Sequence, residues 1–355
     1  MTTVRPGTVV LLSSGETSTS GRRLYDWLFR RLPQPPIVSV VETPAGFQPN
    51  SFPVANRIAE FMRQHLAGHQ PAVTVVAARA RGTAFSPDGE DVVAPIRRAD
   101  AVFLGPGSPS YAVRQLEGSL TWQTILARHR RGAALILASA ATIAISEMVL
   151  PVYEIYKVGE DLHWLPGLNL LGAYGLRLAL VSHWNNTDGG AELDTSYGFV
   201  GRDRFVKLQA MLPPAIRVLG IDEHTALVID LMDRRCRVMG RGGICLCQVG
   251  TERRFEHGQE LALEELGTVR MPDPLDGIPP SVWEQTQVES RPAAAQAAAR
   301  PPTEVLTLVR QREEARSRRD WSAADRLRRS LADLGWEVRD TPGGPQVSLA
   351  QGGPA

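Results

Sequence analysis

Residues Arg131–Met148 read RGAALILASAATIAISEM. Ala133–Ala138 is an uncharged apolar run, the composition a strand covered on both faces requires. Ser139 ends the run, and small residues followed by TIAISEM continue in a helix-compatible pattern. A strand that turns into a helix on a serine lifts the hydroxyl above the sheet edge, where N–H groups of the helix start can serve an anion. That arrangement suits a nucleophile. A small residue buried in a tight strand-to-helix turn would give the same pattern without chemistry.

Outward from this segment, short apolar runs alternate with helical patterns. Strands are expected at Thr8–Ser14, Ile37–Glu42, Val73–Ala78, Ala101–Gly105 and Leu176–Ser182, and helices at Gly21–Leu32, Val54–Leu66 and Tyr111–Arg130. The alternation predicts an α/β fold, a mostly parallel sheet flanked by helices. From about Ile216 the runs AIRVLGI, TALVID, RCRVMG and ICLCQVG are separated by turn signals and read as antiparallel hairpins on the sheet's edge. Glu289–Pro302, ESRPAAAQAAARPP, reads as a disordered Pro/Ala linker. The expected organisation is a domain over residues 1–285, a linker over 286–302 and a helical hairpin over 303–355. In the hairpin, Thr303 and Asp320 are N-cap candidates and Gly335 a stop. Val305, Leu308, Val309, Leu327, Leu331 and Leu334 are spaced to form its core, with Trp321 over one end.

With 43% hydrophobic residues in 355, the chain can bury a large core. No apolar run reaches the length of a membrane span, and MTTVRPGTVVLL lacks the features of a secretory leader. Net charge of +1 gives no global pointer to nucleic acid. Lys157 and Lys207 are the only lysines among 39 basic residues, so arginine richness is a bias of the whole chain and weak evidence for binding. Cys236, Cys245 and Cys247 form neither a disulfide framework nor a recognisable metal-ligand spacing. A reducing cytoplasm is the expected compartment. No metal or cofactor is expected.

Sites in open α/β sheets lie at the carboxyl ends of strands. Three such ends carry chemistry: LLSSGETS near Ser14–Glu16, VFLGPGSPSY with Gly105 and Gly107, and Ser139. A serine nucleophile needs a base, and the base an orienting carboxylate. His65, His69, His129 and His257 stand in polar, helix-like or loop surroundings and read as surface; His163 is ambiguous, and His224, in IDEHTALVI, reads as lying between strands. His183 ends RLALVS and begins the loop HWNNTDGG, which places it at the edge that carries Ser139.

These segments resemble the serine peptidase family of dipeptidase E and cyanophycinase, built on the class I glutamine amidotransferase-like fold. SAATIAIS gives Ser139 and Ser146 at the family's spacing, FLGPGSPSYAVRQL its glycine-rich turn, SHWNNTDGGAELDTSYGFVGRDRFVKLQAML its histidine loop and Arg-rich helix, and GIDEHTALVI its G-x-D-E-x-T-A-L segment. The resemblance covers roughly residues 6–270. It implies a flavodoxin-like sheet and hydrolysis of small acidic or β-linked aspartyl peptides. The implied roles are Ser139 as nucleophile and His183 as base, with Glu154 as the acid ahead of Glu160 and Asp161. Gly105, Gly107, Ser108 and Ala140 would surround the oxyanion, and Arg202 and Arg204 would hold a substrate carboxylate. Leu137 and Ala141 stand where the family has glycine. A wider elbow with a relaxed Ser139 is therefore an alternative geometry.

The tail, QREEARSRRDWSAADRLRRSLADLGWEVRDTPGGP, resembles the extreme C-terminal subdomain of cysteinyl-tRNA synthetase, with Trp321, Ala324, Asp325, Arg328, Asp340 and Pro342 in matching positions. It implies a contact with tRNA or a reused helical hairpin; aminoacylation is not expected, because the nucleotide-binding motifs are absent. Two readings follow: a serine-type peptidase acting on small peptides, or a non-catalytic amidotransferase-like binding module whose tail contacts tRNA or a protein. A glutaminase is disfavoured because no cysteine occupies the elbow. A homodimer is compatible with either reading.

Overall fold

The first apolar runs become strands: β1 (Val9–Leu12), β2 (Ile37–Val41), β3 (Ala72–Val76), β4 (Ala101–Leu104) and β5 (Ala134–Ala138) lie parallel in the order β1-β5-β4-β2-β3. β1, β4 and β5 are buried along their whole length, whereas β3, at the end of the strand order, exposes Ala72 and Thr74. The computed structural model describes residues 4–248, 251–288, 303–318, 320–334, 336–341 and 344–349. Two compact units divide the chain, residues 1–290 and 291–355.

Strand alternation separates two cores. Val10, Leu12, Ile136 and Ala138 face helices α1 (Thr19–Phe29) and α2 (Ser51–His65) through Tyr25, Phe29, Ile58 and Met62. Leu11, Leu135 and Leu137 face the opposite way. The helical run predicted over Tyr111–Arg130 is two helices. A short α3 (Glu90–Val93) precedes α4 (Pro109–Leu116) and α5 (Leu120–Arg130). Gly118, at φ 66°, breaks the run, and Ser119 Oγ caps α5 by accepting from Trp122 N at 3.1 Å. His129 on α5 is fully buried, against its surface reading: it lies edge-on to Tyr174, and burial pushes its pKa down to about 4.

After the elbow helix α6 (Ala140–Ala144), the short pair β6 (Met148–Val149) and β7 (Leu165–Pro166) leads to β8 (Leu178–Val181). The sequence places β8 in the parallel sheet. It instead starts a second sheet, parallel to β9 (Arg217–Ile221), which follows α7 (Arg202–Met211). β12 (Gly243–Gln248) and β13 (Thr251–Glu256) complete that sheet antiparallel. β10 (Thr225–Asp230), β11 (Arg235–Gly240) and β14 (Glu260–Ala262) extend the first sheet beyond β1, so the late hairpins divide between two sheets. Leu180, Leu219 and Ile244 share a core with Leu11 and Leu135, so the second sheet packs on the first.

α8 (Pro280–Val288) occupies residues 286–288 of the predicted linker. Trp283 packs with Ala127, Ile278 and Val282 under the Arg131 guanidinium, 3.9 Å away, which gives this segment an apolar anchor the linker reading lacked. The rest of that linker lies outside the described residues.

In the second unit, helices Thr303–Ser317 and Trp321–Asp333 are followed by the hairpin β15 (Trp336–Thr341) and β16 (Gly344–Leu349). Asp320 caps the second helix by accepting from Ala323 N at 3.0 Å. Val305, Val309 and Leu331 are buried as expected, with Leu308 partly so. Leu327 is half-buried. Trp321 and Leu334 are exposed, because Trp336 and Val338 from the hairpin close the core that Trp321 was expected to cover. Gly335 lies outside the described residues. Among the described residues no helix is long and apolar enough to cross a membrane.

Candidate active site

Ser139 stands between β5 and α6 at φ 52° and ψ −110°. A non-glycine residue held there costs roughly 1–3 kcal/mol and persists only where its surroundings impose it. Ser139 N donates to Leu12 O at 2.9 Å, fixing the turn to β1. Thr142 Oγ1 donates to Leu12 O and Leu137 O at 3.0 and 2.7 Å, tying α6 back over the strand end. Leu137 and Ala141 fit buried in the core, and the elbow keeps its strained conformation despite their β-carbons.

Ser139 Oγ lies 2.9 Å from His183 Nε2, and His183 Nδ1 lies 3.0 Å from Glu223 Oε1. With the Nδ1 proton assigned toward Glu223, Nε2 is the acceptor for the serine hydroxyl. The carboxylate that reaches His183 is thus Glu223, not Glu154. The reason is sheet register. β8 and β9 run parallel with Val181 opposite Gly220, so the loops that leave them carry His183 and Glu223 side by side. Glu154 lies beyond β6 and accepts a hydrogen bond from Ser110. Glu160 and Asp161 sit beside His163 instead.

Both loops are pinned by the serines of LLSSG, which the sequence marks only as a strand end. Ser13 Oγ accepts from His183 N at 2.7 Å, and Ser14 Oγ accepts from His224 N at 2.9 Å. His183 and His224 both hold positive φ, 57° and 56°. The Glu223 carboxylate also accepts from Asn186 Nδ2 at 2.6 Å. Phe199 packs on the imidazole, ring centres 5.1 Å apart. The hydrogen bond from His183, reinforced by that from Asn186, holds the Glu223 pKa down to about 2. Burial raises that of Glu16, whose carboxyl lies within electrostatic reach of His183.

Gly107 sits at φ 152°, and a β-carbon there would meet Pro44 O at 1.8 Å, so no other residue fits. Gly105 is less constrained: its β-carbon would meet the Phe103 ring at 3.0 Å. Ala140 starts α6, where its N–H has no acceptor within the helix. Ser108 serves α4 as N-cap, accepting from Tyr111 N at 3.2 Å with its hydroxyl 2.9 Å from Ser110, so its side chain is committed to the fold. Ser146, seven residues past Ser139, is likewise structural: its hydroxyl accepts from Leu180 N at 2.8 Å. Arg202 lines a cleft of about 410 Å³ with Trp184, Asp194, Tyr197, Asp222 and Arg254, and none of Ser139, His183 and Glu223 lines it. Arg204 is exposed and does not line it.

Glu223 carries a pH signature. Its folded pKa lies below its ordinary value of 4.5, so the stability it adds is present above that value and lost as pH falls toward 2. The gap in urea stability between wild type and Glu223→Gln should be full above about pH 5 and shrink toward pH 2. A gap constant over that range would show that Glu223 is not held as an anion by His183.

A model of the cysteinyl-tRNA ligase anticodon binding domain matches residues 301–347. The cysteine–tRNA ligase of Rubrobacter xylanophilus is 53% identical over 47 residues, 13% of this chain and 10% of that enzyme. That of Methanosarcina mazei is 42% identical over 50 residues, 14% of this chain and 11% of that enzyme. The chain therefore spans about a tenth of the length of the curated relatives it matches. The fold is similar to that of a solved peptidase from an acI-B1 actinobacterium, with a TM-score of 0.58 and 19% identity over 72% of this chain and 97% of that one. The central α/β fold is similar to that of the peptidase, and residues 301–347 are similar in sequence to the anticodon binding domain.

Proposed function

We propose that the first unit is a serine-type hydrolase of small peptides, with Ser139, His183 and Glu223 as its triad. The observation that carries this reading is the continuous hydrogen-bonded line from Ser139 Oγ through His183 to Glu223, 2.9 and 3.0 Å, ending on a serine in a strained turn. Three side chains from three separate loops do not align in this order for packing alone.

The chemistry follows from the geometry. His183 Nε2 takes the Ser139 proton as the oxygen attacks the peptide carbonyl carbon. The tetrahedral oxyanion accepts hydrogen bonds from the N–H groups of Gly107 and Ala140, each worth roughly 3 kcal/mol. The imidazolium then passes its proton to the leaving amine, and an acyl ester remains on Ser139. Water, deprotonated by His183, cleaves that ester and restores the serine. Glu223 stays ionised throughout and balances the imidazolium charge. The Arg202 guanidinium, exposed at the start of α7, offers bidentate pairing to the carboxylate of an acidic peptide. Glu154, which accepts from Ser110 rather than from His183, takes no part in this triad. The buried free thiols suit a reducing compartment such as the cytoplasm.

The tail supports a second role, contact with tRNA, on the strength of the anticodon-binding-domain match over residues 301–347. A non-catalytic binding module is the weaker reading, because it has no use for a strained serine beside a histidine.

Ser139→Ala should lower kcat/KM on small acidic and β-aspartyl dipeptides at least about 1,000-fold, whereas Glu154→Gln should change it less than about tenfold. Undiminished turnover in Ser139→Ala would reject the nucleophile. For the tail, the full chain should retain tRNA on a filter with affinity falling steeply in salt, and residues 1–290 alone should not. Equal retention by both would reject the tRNA role.

A further inference from the structure

On the second sheet, Cys245 and Cys247 lie on the same buried side of β12, facing α7 through Phe205 and Leu208. Two cysteines in such a place are ordinary core residues. What departs from a plain core is the carboxylate beside them. Glu252, paired with Cys247 across the β12–β13 ladder, turns over the strand and accepts from Cys245 Sγ at 3.1 Å. Its neighbours point elsewhere: Arg253 pairs with Glu265, and Arg254 with Asp222 and Glu256. The two sulfurs are 3.4 Å apart, and the three ligand atoms lie within 4.8 Å of one another.

These separations fit one ion. A tetrahedral zinc with Zn–S near 2.3 Å and Zn–O near 2.1 Å needs sulfurs ~3.8 Å apart and oxygen ~3.5 Å from each sulfur. The observed positions are a few tenths of an ångström tighter on the Cys245–Cys247 and Cys245–Glu252 edges, a gap that small side-chain rotations supply. A disulfide fits less well. Residues two apart on an extended strand have Cα atoms ~6.8 Å apart, at the limit of what the bond spans. There is also a way in. Cys247 lines a cleft of about 250 Å³ between α7 and the end of β12, beside Val206, Leu212 and Gln248.

We propose that Cys245, Cys247 and Glu252 form a binding site for a thiophilic divalent cation of the zinc type, with three protein ligands and a fourth position open to water. Binding releases the thiol protons to solvent and involves no change of oxidation state. This site is independent of the hydrolase reading, since none of its ligands belongs to the triad.

The test uses the full chain, reduced and stripped of metal by a chelator. One equivalent of cadmium should produce the ultraviolet thiolate-to-cadmium band, and zinc should displace it. Cys236→Ala, which removes the thiol on β11, should keep the band, and Cys245→Ala/Cys247→Ala should abolish it. Glu252→Gln should weaken cadmium binding at least ~10-fold, the loss that even outer-shell partners produce. Because the double variant removes core side chains, a second readout needs no mutation: zinc should slow iodoacetamide modification of Cys245 and Cys247 in the native chain, mapped by mass spectrometry. No stoichiometric band, a band that survives in the double variant, or alkylation equally fast with and without zinc would overturn the proposal.

Discussion

Everything at the candidate site depends on one backbone constraint, the left-handed turn at Ser139. It puts the hydroxyl outside the sheet at the only point where β5 stops and α6 begins. The conformation is unfavourable by itself, and the surroundings impose it. Leu12 O accepts from both the Ser139 N–H and the Thr142 hydroxyl, so the turn and the first residues of α6 hang from the end of β1. β1 in turn is locked between β5 and β10, with every residue buried.

The second constraint is the parallel pairing of β8 and β9, which lies in a different sheet from Ser139. Parallel strands end at the same edge, so the loops leaving them are neighbours whatever their sequence separation. His183 and Glu223 are 40 residues apart in the chain and share a hydrogen bond for this reason. Ser13 and Ser14 then join the two sheets. Each offers its hydroxyl to the backbone of one of those loops, so a single dipeptide at the end of β1 sets where the base and its carboxylate stand relative to the nucleophile.

Much of this was legible in the sequence, and the failures have physical causes. Strands buried on both faces announce themselves as uninterrupted apolar runs, which is why β1, β4, β5 and the Ser139 turn could be located. His183 was recognisable because it terminates such a run. Glu223 was visible in GIDEHTALVI, but its role was not, since that depends on the partnering of β8 with β9 rather than β5, and apolar runs do not state their neighbours. The tail's exposed Trp321 has a similar cause: helical spacing showed the apolar stripe, while the hairpin that brings Trp336 over it is a non-local contact. Glu252 beside the two cysteines likewise depends on cross-strand register, which residue spacing along one strand cannot express.

The most direct measurement on the triad geometry is the reaction of the native chain with a serine-reactive fluorophosphonate, followed by peptide mass mapping. An activated Ser139 should carry one adduct, and Glu223→Gln, which removes the charge that supports His183, should slow its formation by at least about 100-fold while the fold is retained. An unlabelled Ser139 under conditions that label a known serine hydrolase to completion, or labelling at the same rate in Glu223→Gln, would contradict the assignment of these three residues to one catalytic unit.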